Sequence, residues 1–282
     1  MINSEFDLTL LNAARVTRTT WNWQNVISPF ARMYMIESGE AKIKTADGIH
    51  KMRPGYLYLV PSFTLHSCET DRRFVQYYMH MYNEHDIFNR FDFPFEVEAG
   101  ELERLLIHRL LLINPDRELK DPDPKIYDNY PTLQATISKS KSNAQNTIIE
   151  TGAILQLLFM RFMNRATPKE ITSDSRISET VRYIRENIKE EIYVRDLAKL
   201  CNLHKDYFER LFRRELKYSP SNYITKKKIE KAQIMLLAGN EPIQHIATQL
   251  AFGNIPYFHA VFKKIVGISP LQYRKSYLRN VS

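Results

Sequence analysis

The chain contains 282 residues, of which 44% are apolar and 26% charged, with a formal net charge of +8. This composition excludes a disordered or collagen-like chain, and the length favours about two domains. The two cysteines, Cys68 and Cys201, are too few for a disulfide framework or a cysteine-rich zinc site and are typical of a reducing compartment. The sequence has neither the apolar core of a signal peptide nor a run of about 18 apolar residues that would span a membrane. It therefore predicts a soluble, cytoplasmic protein.

The N-terminal part of the chain shows the period-two alternation that is typical of β-strands. The alternation extends from Phe30 to Tyr82 and is interrupted at Gly39, Gly48 and Gly55, where turns are expected. This pattern predicts a series of consecutive antiparallel strands.

Three helical stretches follow, near residues 100–113, 131–140 and 144–165. The last stretch carries a partial apolar stripe, which either packs on the strands or forms the seam of a dimer. The pattern leaves both interpretations open. The residues predicted for the dimer seam are Leu155, Leu158, Phe159 and Phe162.

Positive charge is concentrated after the hydrophilic segment 166–176, which we predict to be a linker between a first domain, 1–165, and a second domain, 177–282. Residues 1–173 contain 20 Lys and Arg against 21 Asp and Glu, whereas residues 174–282 contain 20 against 11. A neutral domain followed by a strongly basic one indicates that the second half meets a polyanion.

An internal repeat occupies the basic half. The segment YFERLFRRELKYSPSNY, which begins at Tyr207, matches YFHAVFKKIVGISPLQY, which begins at Tyr257, with an offset of 50 at each matching position. The Arg-Arg pair at 213–214 meets a Lys-Lys pair at 263–264, so charge repeats together with the apolar pattern. Two copies are too few for a solenoid and indicate one supersecondary unit used twice.

Each copy has the pattern of a helix, a tight turn and a second helix. In the first copy, at about 194–216, the turn contains Asn202, a residue type that accepts a left-handed backbone conformation. In the second copy, at about 243–266, Asn254 and a nearby proline mark the start of the second helix. A linker helix at about 221–238 connects the copies. The pattern predicts two helix-turn-helix units, whose second helices fit a DNA major groove.

From about Ser178 to Lys275 the chain resembles the DNA-binding domain of AraC/XylS-type transcriptional regulators. The resemblance runs through DLAKLCNLHKDYFERLFRRELKYSPSNYI, KKKIEKAQIMLLAGN and PIQHIATQLAFGNIPYFHAVFKKIVGISPLQYR. It implies two helix-turn-helix units set to enter successive major-groove faces. Three residues depart from the family pattern: Ala251 replaces a usual glycine, and Ala260 and Lys228 each replace a usual arginine. We expect backbone strain of about 1 kcal/mol at Ala251.

The outward side chains of the two units divide into base contacts and phosphate contacts. Arginine pairs bidentately with guanine, carboxylates accept from cytosine amino groups, and basic side chains bind phosphates. We predict base contacts from Asp206, Glu209, Arg210, Asn254 and His259. We predict phosphate contacts from Lys205, Arg213, Arg214, Lys226, Lys227, Lys263 and Lys264. Because Ala260 offers only apolar contact, we expect the first unit to carry most of the sequence specificity.

The N-terminal strands contain RPGYLYLVPSFTLH, which is similar to a segment of the cupin-like effector domains in the same family. The resemblance implies an α+β chain, in which a small antiparallel β-barrel with flanking helices precedes the all-α domain and holds a ligand inside. Aromatic faces with a few polar groups suit a sugar or another small organic effector, although core packing explains about half of these rings. The predicted effector-binding residues are Trp23, Arg32, His66, Tyr77 and Met79, with Tyr77 and Met79 facing inward.

The residues do not favour a metal centre or catalysis. Many cupins bind a metal through several histidines and a carboxylate, but the expected turn offers only His66. The segment from His80 to His85 lacks the spacing of zinc-protease motifs. No catalytic triad or phosphate-binding glycine loop has supporting context, so we expect no cofactor and no enzyme activity.

Together these features predict a ligand-responsive transcription factor, which as a homodimer binds half-sites in double-stranded promoter DNA and contacts RNA polymerase. An effector would change dimerisation or interdomain contacts and thereby the choice of half-sites. Two alternatives stay open. One is a DNA-binding regulator whose first domain senses no small molecule and serves dimerisation or a protein partner. The other, a cupin enzyme with a nucleic-acid-binding tail, is disfavoured by the missing metal ligands.

Overall fold

The chain divides into two compact units, Met1–Lys169 and Glu170–Ser282. The predicted linker 166–176 spans this division. The first unit is built from antiparallel sheets with flanking helices, and the described part of the second unit from helices, so the predicted fold class is confirmed. The residues that the computed structural model describes are 6–124, 144–169, 172–238 and 241–275, apart from positions 71, 84 and 86.

The described part of the first unit contains eleven strands, which pair into three sheets. The strands are β1 (Leu8–Arg18), β2 (Trp23–Val26), β3 (Ala31–Ser38), β4 (Ala41–Thr45), β5 (Gly48–Met52), β6 (Tyr56–Val60), β7 (His66–Glu69), β8 (Phe74–Asn83), β9 (Phe91–Asp92), β10 (Glu96–Glu98) and β11 (Thr167–Pro168). Five form a sheet in the order β1-β8-β3-β6-β10, four form a second sheet in the order β2-β7-β4-β5, and β9 pairs with β11. The strand pairs in these sheets are antiparallel.

Both faces of the five-stranded sheet are buried, and the alternation along each strand decides which face a side chain occupies. Met33 and Met79 lie in an apolar cluster shared with the helices of this unit, which we call the helix-facing core. Tyr34 and Tyr78 lie in a cluster shared with the four-stranded sheet, which we call the inter-sheet core. In the register of β3 and β8, Met33 opposes Met79 and Tyr34 opposes Tyr78. Each strand therefore supplies both cores.

Two helices, α1 (Glu101–Ile113) and α2 (Gln145–Met163), contribute to the helix-facing core. A bidentate ion pair joins them, because Arg109 donates to both carboxylate oxygens of Glu150 at 2.6 and 3.0 Å. The helical stretch predicted at 131–140 lies outside the described residues.

The apolar stripe of α2 packs inside the first unit. Leu155, Leu158, Phe159 and Phe162 are fully buried in the helix-facing core. The ring of Phe159 lies edge-on to that of Phe88, with centroids 5.4 Å apart. The dimer seam predicted from these four residues is therefore wrong, because side chains packed in their own core do not face a second protomer. The structure shows the other interpretation, in which the stripe packs on the strands.

Seven helices form the described part of the second unit. They are α3 (Ser175–Glu186), α4 (Val194–Leu200), α5 (Lys205–Leu216), α6 (Pro220–Ala238), α7 (Ile243–Gln249), α8 (Ile255–Val266) and α9 (Pro270–Lys275). Helices α4 and α5 form the first helix-turn-helix pair, α7 and α8 form the second, and α6 connects them. Helix α3 packs on the first pair through Ile177, Val181 and Ile184. In the described ranges, no helix is both long enough and apolar enough to cross a membrane.

Candidate nucleic-acid interface and effector site

The sequence repeat is also a repeat of backbone hydrogen bonds. In the first turn the N–H of Leu203 donates to the carbonyl of Ala198 at 2.9 Å. In the second turn the N–H of Phe252 donates to the carbonyl of Ala247 at 3.0 Å. The two turns close in the same way, so the second helix of each unit, α5 or α8, leaves its turn along an equivalent path. We refer to α5 and α8 as the recognition helices.

A left-handed residue makes each turn possible. Asn202 has a φ of 53° and Ala251 a φ of 48°, so the prediction that Asn202 is left-handed is confirmed. Asparagine tolerates this conformation better than alanine does, and the second turn therefore carries the larger conformational cost. The recognition helices also end alike, at Lys217 with a φ of 63° and at Gly267 with a φ of 92°.

Matching sets of three aromatic rings hold the recognition helices in place. In the first helix-turn-helix unit the ring centroid of Phe212 lies 5.6 Å from that of Phe208 and 5.6 Å from that of Tyr223 on α6. The equivalent rings of the second unit, 50 residues later, have separations of 5.7 and 5.3 Å. These tilted and edge-on contacts bury one face of each recognition helix, and the opposite face remains exposed.

The exposed face of α5 carries the residues predicted to contact bases in the first unit. Asp206 and Arg210 are exposed, and Glu209 is half-buried with an oxygen 3.8 Å from the ammonium of Lys205. Within the described ranges, the guanidinium of Arg210 has no ion-pair partner. The first turn of α5 contains Asp206 and its last turn two arginines, an arrangement that complements the helix dipole.

The corresponding face of α8 is less rich in hydrogen-bonding groups. His259 is half-buried and lies edge-on to Phe258, and Ala260 occupies the position equivalent to Arg210. Asn254 precedes the helix, and its side-chain oxygen accepts a hydrogen bond from the N–H of Tyr257 at 2.7 Å. Asn254 is thus the N-cap of α8, a structural role that exists alongside its predicted contact with a base.

The seven predicted phosphate contacts differ in their partners within the chain. Lys263 and Lys264 are exposed on the last turn of α8. On α6, Lys226 lies 4.9 Å from the ring centroid of Tyr218, and Lys227 pairs with Glu230 at 2.7 Å. Of the others, Arg214 pairs with the adjacent Glu215, Lys205 lies near Glu209, and Arg213 is exposed. The Lys205–Glu209 pair is accessible to solvent on both sides and contributes little stability, so Lys205 can exchange this partner for a phosphate oxygen at little cost. The Lys227–Glu230 pair, by contrast, is half-buried.

In the N-terminal unit, Met1–Lys169, a polar cluster interrupts the apolar packing between the two sheets. Arg32 and His66, which are both predicted effector-binding residues, are 2% and 3% exposed, and His80 is 2% exposed. Burial and the nearby Arg32 lower the pKa of His66 to about 4 and hold the pKa of His80 well below its usual value, so both imidazoles are neutral at pH 7. His80 is not among the predicted effector-binding residues, but it opposes Arg32 in the register of β3 and β8.

The structure places two predicted effector residues on the opposite face of the sheet. Tyr77 and Met79 lie in the helix-facing core, not between the sheets. The hydroxyl of Tyr77 donates to a carboxylate oxygen of Glu37 at 3.0 Å and lies 2.7 Å from Nε2 of His108 on α1. Their predicted inward orientation is therefore corrected: the strand alternates with period two, and a shift of one residue exchanges the faces. Trp23 is half-buried against the inter-sheet core.

A cleft of about 360 Å³ opens beside β5 and β10. It is lined by His50, Lys51, Arg53, Pro94, Phe95 and Glu96, which we call the β5 cleft. The imidazole of His50 stacks on Phe95 with ring centroids 4.1 Å apart. None of the predicted effector residues lines it. The sheet topology brings β5 close to the segment before β10, and no local sequence motif predicts this contact.

The described residues contain no group of three or more His, Cys, Asp or Glu side chains arranged to hold a metal ion.

Comparisons with known proteins agree with the geometry of the second unit. Residues 197–276 match a family model described as a helix-turn-helix domain. An uncharacterised HTH-type transcriptional regulator of Bacillus subtilis, YisR, is 33% identical over 103 residues, which cover 36% of each chain. The raffinose operon transcriptional regulatory protein RafR of Pediococcus pentosaceus is 32% identical over 129 residues, which cover 44% of this chain and 47% of that protein.

Among solved structures, a transcriptional regulator from Chromobacterium violaceum, described by its AraC-type DNA-binding domain, is 25% identical. The match covers 37% of this chain and 94% of that one, with a TM-score of 0.35. The chain spans roughly a third to a half of the length of the first curated relatives it matches.

We predict that Asn254→Ala lowers the free energy of unfolding by about 1 kcal/mol, because the N–H of Tyr257 loses its acceptor. Amide hydrogen exchange of the first turn of α8 should accelerate. Asn254→Asp keeps an acceptor oxygen and should retain the protection, so it serves as the matched control. Exchange that stays unchanged in Asn254→Ala would show that the cap contributes nothing.

Proposed function

We propose that this chain, whose residues 197–276 form an AraC-type helix-turn-helix domain, is a sequence-specific DNA-binding transcriptional regulator. The observation that carries the proposal is the pair of recognition helices. Each is held by its own, equivalent set of three rings, and each presents an exposed face. The major groove is wide enough to admit such a helix, and two helices reach two successive groove segments. Because the proposed target is promoter DNA, we also propose that the chain acts in the cytoplasm.

The charge of the second unit supports the same proposal. Residues 174–282 carry 20 Lys and Arg against 11 Asp and Glu. Exposed and half-buried basic side chains on and near the recognition helices suit phosphate contacts, which set the register of the protein on DNA and the salt dependence of binding. We propose Lys205, Arg213, Arg214, Lys226, Lys227, Lys263 and Lys264 for this role. Contact with RNA polymerase belongs to the same proposal, and activation and repression are both compatible with it.

The proposed base contacts are divided unequally between the two units. Asp206, Glu209 and Arg210 supply two acceptors and one bidentate donor on α5, whereas α8 supplies His259 and, at its start, Asn254. A bidentate arginine–guanine pair is the commonest specific contact in the major groove. We therefore propose that the first helix-turn-helix unit contributes most of the sequence specificity.

We predict that Arg210→Ala weakens binding to the preferred duplex by about 1–3 kcal/mol and relaxes the base preference at one position. The preferred duplex is obtained by selection from a random pool with the wild-type chain, and affinities are measured by fluorescence anisotropy at fixed salt. Arg213→Ala is the matched control. It should weaken binding to the preferred and the scrambled duplex alike, and should reduce the slope of log K against log salt concentration by about 1. Equal weakening of both duplexes by Arg210→Ala would make this residue a backbone contact.

We propose that a small organic effector, with a sugar as the first candidate, binds the first unit in the β5 cleft. The cleft combines the flat ring of Phe95 with charged or polar groups of Lys51, Arg53 and Glu96, and its volume of about 360 Å³ suits a small molecule. Sugars suit such a surface, since their hydroxyls can pair with its charged and polar groups. The name of RafR, which refers to a raffinose operon, also favours sugars in the first panel.

We predict that an effector raises the melting temperature of the first unit in the full chain. At a concentration of 100 times its Kd, stabilisation of about 2.7 kcal/mol is expected. Both tryptophans, Trp21 and Trp23, lie in this unit, so tryptophan fluorescence reports its unfolding selectively. Lys51→Ala should abolish the shift, whereas Lys44→Ala, an exposed lysine on the neighbouring strand, should retain it. A shift that survives Lys51→Ala but disappears in His66→Ala would instead locate the effector between the sheets.

A second candidate is a regulator whose first unit senses no small molecule. The observation that favours it is the filling of the inter-sheet space by buried rings, among them Trp21, Tyr34, Tyr58 and Tyr78. In this case the first unit would serve dimerisation or a protein partner. A cooperative melt that no sugar, aromatic acid, fatty acid, bile acid or amino-acid derivative shifts would favour this candidate.

We propose that a homodimer forms through the outer faces of α1 and α2, and not through the buried stripe. Large apolar side chains on these faces are 38–71% exposed: Leu102, Leu105, Leu112, Ile149, Leu157 and Met160. On two neighbouring helices, such a group of exposed apolar side chains is typical of a protein–protein contact. A second copy of the chain would double the number of basic units that engage DNA and raise avidity.

We predict a dimer for the wild-type chain at micromolar concentration and a monomer for the double variant Leu112→Glu, Leu157→Glu, because two buried charges would oppose the interface. Light scattering after size-exclusion chromatography measures the mass. Leu65→Glu changes a leucine that is equally exposed, at 55%, outside these helices and is the matched control. A dimer that persists in the double variant places the interface elsewhere.

A further inference from the structure

One lysine of α6 contacts both halves of the second unit. The ammonium of Lys228 donates to the carbonyl of Glu190, in the segment between α3 and α4, at 2.8 Å. It also donates to the carbonyl of Ala251, in the turn of the second helix-turn-helix unit, at 3.5 Å. Glu190 lies directly before the first helix-turn-helix unit, and Ala251 lies within the second helix-turn-helix unit. A single side chain therefore bridges segments that are 61 positions apart in the sequence.

The environment of Lys228 is unusual for a lysine. The residue is 6% exposed, and its ammonium lies 5.9 Å from the ring centroid of Phe252. Burial lowers its pKa, while the carboxylates of Glu191 and Glu190 oppose that shift. Lysine is almost never buried unless its charge is compensated by hydrogen bonds and nearby charge or rings. The side chain is consequently held in one arrangement, unlike Lys205, Lys263 and Lys264, which are exposed.

The bridge ends at the left-handed turn of the second helix-turn-helix unit. Ala251 is the alanine with a φ of 48°, and its neighbour Phe252 packs edge-on against Phe258 of α8 with centroids 5.0 Å apart. The contact of the Lys228 ammonium with the carbonyl of Ala251 thus links α6 to the turn that directs α8. Helix α6 also carries Tyr223, which packs against Phe212 of α5. Both recognition helices are therefore positioned by contacts with the same helix, α6.

We propose that Lys228 is a positioning residue that sets the orientation of the second recognition helix relative to the first. Two helices that enter successive groove segments must match the spacing of the DNA helix, and a fixed arrangement avoids an entropic cost on binding. The proposal rests on the proposed DNA-binding function for its biological meaning. Its structural content, a defined separation between α5 and α8, is measurable without DNA.

The first test measures that separation in the full chain. Spin labels are attached at Tyr207→Cys and Tyr257→Cys, equivalent exposed positions on the two recognition helices, after the buried Cys68 and Cys201 are changed to alanine. Pulsed electron spin resonance should give one narrow distance distribution. Lys228→Met should broaden or shift it, and Lys228→Arg, which keeps the charge and donors, should restore a single peak. Lys231→Met, the same change one turn later on α6, is the matched control.

The second test measures binding to duplexes selected by the wild-type chain. Lys228→Met should lose affinity for the full site by about ten-fold or more, because the linked contacts no longer reinforce each other. Its affinity for a duplex whose second element is scrambled should remain at the wild-type value. Insertion of one base pair between the elements should weaken the wild-type chain more than the variant.

The outcomes separate the proposal from the function on which it rests. An unchanged distance distribution in Lys228→Met overturns the positioning role, even when the melting temperature falls, since a merely stabilising residue would lower stability without changing the separation. If Lys228→Met does not fold, a broad distance distribution in the wild-type chain itself overturns it, because a positioning residue requires one defined separation between α5 and α8. A wild-type chain that selects no DNA sequence contradicts the proposed function, while the distance measurement still decides the role of Lys228.

Discussion

The packing of a phenylalanine between two other rings is the interaction on which the second unit depends. Phe212 contacts Phe208 on its own helix and Tyr223 on α6, and the same arrangement recurs 50 residues later. Since these rings occupy one side of each recognition helix, the other side is left for charged and polar residues. The apolar packing therefore decides which side chains can meet DNA, although none of the packed rings would touch it. In this way the core of the unit specifies its surface.

The first unit follows a different rule, in which one sheet serves two cores. Neighbouring residues of β3, such as Met33 and Tyr34, enter cores on opposite sides of the five-stranded sheet. A strand that is buried on both faces retains few positions for polar residues. The presence of Arg32 and two neutral histidines between the sheets is therefore costly unless their hydrogen bonds are satisfied within the fold. Such a cluster favours one defined packing of the two sheets.

The sequence predicted best those features that local pattern controls. The repeat, the helix-turn-helix pairs and the left-handed Asn202 all follow from residue type and spacing within a few turns of chain. Orientation across a sheet was predicted less well, because Tyr77 and Met79 could be assigned to either face until the register was known. The stripe of α2 is similar, since amphipathic spacing says that a face is buried but not against what. The β5 cleft depends on topology, and the bridge by Lys228 depends on a contact between distant segments, neither of which leaves a local signal.

The two helix-turn-helix units have the same architecture but unequal chemistry, and the differences are mutually consistent. The first turn uses an asparagine for its left-handed residue, whereas the second uses Ala251, which bears more strain. The first recognition helix presents Arg210 where the second presents Ala260. A unit with weaker base contacts contributes to affinity chiefly when its position is already correct, because each freely moving contact costs entropy on binding. The hydrogen bond from Lys228 to the strained turn supplies that position. The helix-turn-helix unit with fewer proposed base contacts is thus the one that the connecting helix contacts through Lys228.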